Sequence, residues 1–420
     1  MSSGVVTVVA LVVVCVMIAI IVVYRRYIRE RSSSDDPVSH DPIFSTPTMD
    51  NFLIDIEREK PIRFTSQQLQ IATDNFTNLL GSGGFGTVYK GKFSNGTLVA
   101  VKVLNGTSDK GIEEQFMAEV RTLGRIHHIN LVGLYGFCFE RHLRAIVYEY
   151  MSNGSLDKLL FHGNKILGFE KLHEIAVGTA KGIAYLHEEC QQRIVHYDIK
   201  PENILLDENF FPKVADFGLA KLFNRDKTHI SMTGWRGTPG YAAPEVWLQC
   251  PITHKCDVYS FGMLLFEIIG RRRNVDDNLP ESRDWFPRWG WKKFEAGELG
   301  ELMLVCGIEE KHREAAERML KVAICCVQYR PELRPLMSAV VKMLEGGTEI
   351  PRPSTNPVQH SLSGTPVMAS YSTSVFDTDS SHTTSGVGTS VTDSSHTTSG
   401  VGTSVFDMDS SHTTIGVEGC

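Results

Sequence analysis

VHYDIKPEN, Val195 to Asn203, sets an acid, Asp198, ahead of a cation, Lys200, and an amide, Asn203, with Tyr197 just before the acid. It reads either as a polar surface turn or as a loop that gathers a proton acceptor, a positive charge and an oxygen ligand around one reacting group. The residues that follow favour the second reading. NILLD and FPKVADFG read as two short strands framing the site, and ADFG adds a second carboxylate, Asp216. Asp198, Asn203 and Asp216 make an oxygen-rich set suited to Mg²⁺, which favours carboxylates and phosphate oxygens. In that division of labour Asp198 accepts the proton of an attacking hydroxyl, Asn203 and Asp216 hold metal, and Lys200 steadies a phosphoryl group in transfer.

Working upstream, GSGGFGTV, Gly81 to Val88, contains G-x-G-x-x-G but runs straight into the strand-like TVYKGKF instead of opening a helix. A hairpin without side chains at Gly81, Gly83 and Gly86 can lie over a triphosphate and offer backbone N–H groups to it. A plain hairpin turn is the alternative. VAVK ends in Lys102 after three apolar residues, and a solvated strand end is the ordinary reading of such a lysine. Glu119, however, shares a helical face with Phe116, Val120 and Leu123, so its carboxylate points inward and needs a cation. Lys102 is the economical partner, and an ammonium held there suits the α- and β-phosphates of a nucleotide.

The chain of 420 residues exceeds one compact core, and its net charge of −7 argues against a generally nucleic-acid-binding surface. Its 9 cysteines, scattered and without ligand spacing, read as reduced, mostly buried thiols. From Val5 to Tyr24 no residue is charged, the length a helix needs to span a bilayer. Arg25, Arg26, Arg29 and Arg31 follow, which puts the remainder in the cytosol, with a cleaved signal peptide as the rival reading. Residues 31–60 read as a flexible linker. RFTSQQLQIATDNF then offers Thr65 as an N-cap to a docking helix, with Leu69, Ile71 and Ala72 able to face a body. From Leu79 to about Tyr150 short β-branched runs dominate, interrupted by a helical stretch from Gly111 to Arg125. Beyond that come long amphipathic segments such as EKLHEIAVGTAKGIAYLHEE and DVYSFGMLLFEIIG. The tail repeats a Ser/Thr/Gly-rich unit, as in TSVTDSSHTTSGVG, which cannot bury a stacked core and reads as disordered.

GSGGFGTV, VAVK, Glu119, HYDIKPEN, DFG, APE (Ala243 to Glu245) and Asp257 of DVYSFG stand in the order found in eukaryotic-type protein kinases, and the chain resembles that family over roughly residues 75 to 347. The resemblance implies an α+β, bilobal kinase fold, a small β-rich N-lobe (75–150) and a larger helical C-lobe (151–347). Around it stand a short extracytoplasmic end (1–4), a transmembrane helix (5–24), a juxtamembrane linker (25–74) and a disordered tail (348–420). It implies ATP and Mg²⁺, with Mn²⁺ as a substitute. Leu80, Gly81, Ser82, Gly83, Gly84, Phe85, Gly86, Val88, Ala100, Lys102, Glu149 and Met151 then bind the nucleotide, with the YEYM stretch as hinge and Tyr148 as gatekeeper. Asp198, Lys200, Lys102 and Glu119 are catalytic, and Asn203 and Asp216 ligate metal. Glu245 pairs with Arg334, Asp257 supports the catalytic loop, and Thr238 hydrogen-bonds Asp198 and Lys200.

Lys200 and the GTPGY stretch before APE resemble serine/threonine kinases. The QIATDNF entry, ITHKCDVYSFG and VVKMLEG resemble plant receptor-like kinases, nearest the rust-resistance and thaumatin-type branch. This implies a single-pass, plasma-membrane location in the family's manner, protein substrates, and a partner receptor kinase or co-receptor, with no nucleic acid. Two departures stand out. Tyr197 occupies the position of the usual arginine, the non-RD pattern, and only MSSG precedes the apolar run, where that family carries an ectodomain. Without that arginine a phosphate on Thr228, Ser231 or Thr233 gains little from position 197. A catalytically weak, pseudokinase-like scaffold or co-receptor partner is the alternative function.

Overall fold

The computed structural model describes residues 61–357, apart from Phe85 and residues 106–108, 163–166, 225–236, 248–250, 276–284 and 354–355. Val5–Tyr24, the repeat tail, Phe85, Thr228, Ser231 and Thr233 lie outside the described residues. Among those described, no helix is long and apolar enough to cross a membrane.

The N-terminal half of the fold is one six-stranded sheet. Its strands are β1 (Ile62–Arg63), β2 (Leu79–Gly83), β3 (Gly86–Lys92), β4 (Leu98–Val103), β5 (Leu134–Glu140) and β6 (Leu143–Glu149), in the order β1-β5-β6-β4-β3-β2. The period-two alternation of a strand explains how β4 serves two purposes. Val99, Val101 and Val103 join an outer apolar cluster with Leu69, Cys138, Ala145 and Val147, while Ala100 packs on the main core and Lys102 shares its face. Helix α1 (Ser66–Ala72) covers that outer cluster. Thr65 caps it as its sequence suggests, in a full capping box with Gln68, and Leu69 is the residue it buries. Ile71 points the other way and is 75% exposed, because only one residue per turn of so short a helix can reach the sheet. β1 approaches β5 so closely that a Cβ at Gly136 would lie 2.0 Å from the Ile62 carbonyl oxygen.

Helix α2 (Asp109–Leu123) begins two residues before the Gly111 expected from sequence and buries Phe116, Glu119, Val120 and Leu123. After β6 the chain becomes helical: α3 (Phe169–Ala184), α4 (Pro244–Trp247), α5 (Lys255–Gly270), α6 (Phe286–Ala296), α7 (Leu299–Val305), α8 (Arg313–Cys326) and α9 (Met337–Leu344). The short strands β7 (Arg193–Val195), β8 (Ile204–Leu206), β9 (Pro212–Val214) and β10 (Lys221–Phe223) pair as β7 with β10 and β8 with β9. The two strands expected in NILLD and FPKVADFG are therefore β8 and β9. Helix α5 differs from the amphipathic segment its sequence suggested. It is buried on nearly every face, Cys256 to Ser260 and Phe261 to Ile269 included save Tyr259, because α3, α6 and α8 pack around it.

α3 carries Gly178 and Gly182 one turn apart. A Cβ at Gly178 would lie 2.6 Å from the Pro212 ring, and one at Gly182 would lie 2.7 Å from the Asn130 carbonyl oxygen. These two gaps admit the strand β9 and the segment before β5, where Val132 N–H donates to the Val214 carbonyl at 3.0 Å. Gly182→Val is expected to overpack this junction and cost about 1–3 kcal/mol of stability. Thermal unfolding against Gly182→Ala checks it, and equal midpoints for both variants and the wild type would sink the idea.

Candidate active site

The site is built where the sheet, α2 and the loops between β7 and β10 meet. β4 delivers Lys102 and α2 delivers Glu119, and the ammonium donates to Glu119 Oε1 at 2.5 Å and to Asp216 Oδ1 at 2.8 Å. All three charges are largely withdrawn from water, so each needs the others. Burial alone would lower the Lys102 pKa, but the facing Glu119 and Asp216 carboxylates reverse this and hold it above the ordinary lysine range. Burial likewise works against the Asp216 charge, and Lys102 overcomes it to hold that carboxyl below its usual range. The Tyr148 hydroxyl, on β6, donates to the second oxygen of Glu119. Sequence reasoning placed Tyr148 in the nucleotide pocket but missed this bond, which only the β4–β6 register brings about.

The residues of the Asp198 loop form a second cluster. Asp198 is 3% exposed, and its carboxylate accepts from Thr238 Oγ1 at 2.6 Å and from Asn203 Nδ2 at 2.9 Å. Lys200 pairs with Asp198 Oδ2 at 2.8 Å and donates to Thr238 Oγ1 at 2.7 Å. Asn203 Nδ2 also donates to the Asp198 carbonyl, at 2.8 Å, so its amide nitrogen is spent on the loop and its amide oxygen is left to face a ligand. Asp198, Lys200, Asn203 and Thr238 thus converge, as do Lys102, Glu119 and Asp216.

The loop owes its shape to groups behind it. Asp257, fully buried near the start of α5, accepts from the backbone N–H of His196 and of Tyr197, both at 2.8 Å, and bonds His187 Nε2 at 2.9 Å. Burial opposes its charge, yet these donors hold its carboxyl below the usual range. Tyr197 is thereby fixed at φ 67° and Asp216 sits at φ 65°, left-handed backbone that a non-glycine residue adopts only when its surroundings impose it. His196 bridges the loop to ADFG. Its Nε2 meets the Ala215 carbonyl at 3.0 Å and its Nδ1 accepts from the Asp198 N–H at 3.2 Å, so both ring nitrogens are engaged. His187 was not singled out in the sequence, and no local signal marks it. Below Ala184 the helix widens to i→i+5 bonding, with Cys190 N–H on the Tyr185 carbonyl, and that turn swings His187 to Asp257.

Tyr197 is buried in an apolar cluster with Val195, Phe223, Ala243, Val246, Ile252 and Cys256. Glu245 meets Arg334 through two bonds, of 2.6 and 2.8 Å, with both side chains buried.

β2 and β3 form the glycine hairpin, with Gly83 opposite Gly86. A Cβ at Gly81, Gly83 or Gly84 would meet nothing within 4 Å, so the strand keeps an open face, whereas Gly86, at φ 134°, is pressed on the Val103 carbonyl. Leu80, Val88 and Ala100 are half-buried, Ser82 is exposed and Met151 is buried. The Glu149 carboxylate is occupied by the Gly133 N–H at 2.6 Å and by Lys213 at 3.0 Å. Among the described residues no group of three or more His, Cys, Asp or Glu side chains could hold a metal by itself. Asp216 with the Asn203 amide oxygen fits a Mg²⁺ that takes its other ligands from phosphate and water.

Residues 75–344 match the family described as protein tyrosine and serine/threonine kinase. A G-type lectin S-receptor-like serine/threonine-protein kinase of Arabidopsis thaliana is 50% identical over 69% of this chain and 34% of its own length. The rust resistance kinase Lr10 of Triticum aestivum is 44% identical over 70% of this chain and 47% of its own, and the PR5-like receptor kinase of Arabidopsis thaliana 43% over 70% and 45%. The chain spans a third to a half of these relatives, and the family match contains Lys102, Glu119, Asp198, Asn203 and Asp216. With the two-lobed architecture and the matched motifs together, the chain belongs to the protein tyrosine and serine/threonine kinase family, and plant receptor-like serine/threonine-protein kinases are among its relatives.

Proposed function

We propose that the chain is a membrane-anchored, receptor-like kinase that moves the γ-phosphate of ATP to serine and threonine hydroxyls of signalling proteins, with Asp198 as the proton acceptor. The observation that carries this reading is the fixed carboxylate of Asp198, held by Thr238 and Asn203, on a loop whose Asn203 carbonyl accepts at 2.9 Å from the N–H of Ala215, the neighbour of the Asp216 that pairs with Lys102. Lys102, oriented by Glu119, positions the α- and β-phosphates under the backbone N–H groups of the glycine hairpin. The acceptor hydroxyl loses its proton to Asp198 as its oxygen bonds phosphorus and the bond to the ADP oxygen breaks. Lys200 offsets charge on the phosphoryl oxygens in that passage. Mg²⁺, or Mn²⁺ in its place, bound by Asp216 and Asn203, would add charge neutralisation at the phosphates. Leu80, Val88, Ala100 and Met151 enclose the adenine, and Glu149 contributes the hinge backbone.

Val5–Tyr24 is the proposed single span, with the kinase on the cytosolic side of the plasma membrane and a receptor kinase or co-receptor as partner. Tyr197 makes this a non-RD kinase in our reading, in which loop phosphates on Thr228, Ser231 or Thr233 are not the principal switch. The same residue favours a second reading, a weakly catalytic scaffold. Incubating the full chain with labelled Mg-ATP separates the two. Autophosphorylation on serine or threonine that Lys102→Met reduces by about 10²-fold or more is expected. Label incorporation that survives Lys102→Met unchanged would overturn the site, and no incorporation by wild type would leave the scaffold.

A further inference from the structure

We infer that Arg273, in the turn after α5, is a positioning residue that clasps the catalytic loop to the segment carrying Thr238. The inference rests on the assignment of Asp198 and Asn203 above. Arg273 Nη2 pairs with Glu202 Oε1 at 2.8 Å, and Nη1 donates to the Tyr241 hydroxyl at 3.1 Å. Glu202 is the neighbour of Asn203 in the short turn Pro201–Asn203, and its other oxygen is buried without a partner among the described residues. Arg273 therefore supplies the counter-charge that this carboxylate needs.

The other arm reaches Asp198. The Tyr241 N–H donates to the Thr238 carbonyl at 3.1 Å, and Thr238 donates to Asp198. Tyr241 is tied to α5 at two more points, its carbonyl accepting from Ser260 at 2.9 Å and its hydroxyl donating to Glu267 at 2.7 Å. Burial pushes the Glu267 carboxyl up to about 7 and the Tyr241 hydroxyl well above its ordinary range. The tyrosine thus stays protonated, a donor to Glu267 and an acceptor for Arg273. The guanidinium also lies 4.2 Å from the centre of the Phe161 ring, which fixes its plane. One planar fork accordingly spans the two ends of the loop, Asp198 through Tyr241 and Thr238, and Asn203 through Glu202. A lysine, a single point charge, can serve only one of them well.

Arg273 and Glu202 keep 42% and 36% of their side-chain surface in water, so removing either opens no core cavity. The consequence should appear in the chemistry more than in stability. Autophosphorylation rates of the full-length protein, measured against ATP concentration for Arg273→Met, Arg273→Lys, Glu202→Gln and the Arg273→Met/Glu202→Gln pair, provide the test, with Asp198→Asn as control. Arg273→Met is expected to lower the saturated rate about ten-fold or more, as misplacement of reacting groups does. The ATP concentration at half-rate stays within about two-fold, since the interactions of Lys102 and Glu119 are untouched. Arg273→Lys recovers part of the loss, Glu202→Gln loses as much as Arg273→Met, and the pair is no slower than either, as expected for partners in one interaction. Wild-type rates in Arg273→Met and Glu202→Gln overturn the clasp while leaving the site intact if Asp198→Asn is dead. Additive losses, or a Lys variant no better than Met with ATP dependence shifted as well, also overturn it. An active Asp198→Asn, or an inactive wild type, defeats the site reading itself. Should Arg273→Met fail to fold, Glu202→Gln, which keeps the shape of the side chain, decides alone.

Discussion

Asp198→Asn is expected to lower phosphotransfer by about 10²- to 10⁴-fold, the range that a positioned general base contributes. The amide preserves the size of the side chain, and its oxygen can still accept from Thr238 or Asn203 Nδ2, which bond the carboxylate at 2.6 and 2.9 Å. What it cannot do is take a proton from the acceptor hydroxyl. Mg-ATP binding, measured by calorimetry on the same variant, should survive, because Lys102, Glu119 and Asp216 bond one another without Asp198. A variant that transfers phosphate at the wild-type rate would remove Asp198 from the mechanism. One that loses ATP binding together with activity would mean the substitution had disturbed the whole site.

Glu245→Ala is expected to be the most destabilising single change, at about 3–5 kcal/mol, the usual cost of stripping a buried ion of its partner. Arg334 is 1% exposed, and its guanidinium donates to Glu245 twice and to the carbonyls of Gln328, Lys255 and Tyr329. All its donors are thus committed inside the protein, and the alanine leaves its charge without an answer. In a domain of this size the loss corresponds to a fall of roughly 10 °C in Tm. Replacing both partners by methionine should restore only part of it, because the carbonyls that Arg334 satisfied are then left buried and unpaired. A calorimetric Tm for Glu245→Ala within a degree or two of wild type would sink the assignment.

The inward Glu119 was legible because helical spacing put it on the face of Phe116, Val120 and Leu123, and burial then demanded a cation. Thr65 was legible for a similar local reason, since a threonine followed three residues later by glutamine satisfies two orphan N–H groups. Ile71 was misjudged because apolar spacing does not say how many residues of a seven-residue helix reach the sheet. The all-round burial of α5 escaped for a different reason: Asp257, Ser260 and Glu267 look polar in sequence, but each is spent on a buried hydrogen bond. His187 and Arg273 were beyond reach altogether. Their partners, Asp257 for one and Glu202 for the other, stand far along the chain, and nothing local distinguishes either side chain from an ordinary polar residue.

The packing of β1 and α1 shifts where the folded unit begins. The family match starts at residue 75, yet Leu69 and the pairing of Ile62 and Arg63 with β5 lie ahead of it. A fragment cut at that boundary would bare Val99, Val101 and Val147 and free a strand edge, two invitations to aggregate. The same attachment makes the segment a mechanical coupling. Phe64 N–H grips the Phe137 carbonyl at 2.7 Å and the Phe64 ring stacks on Phe93 at 5.1 Å. A pull or twist applied from the N-terminal side therefore arrives first at β1, and passes through β5 and β6 into β4, the strand that holds Lys102.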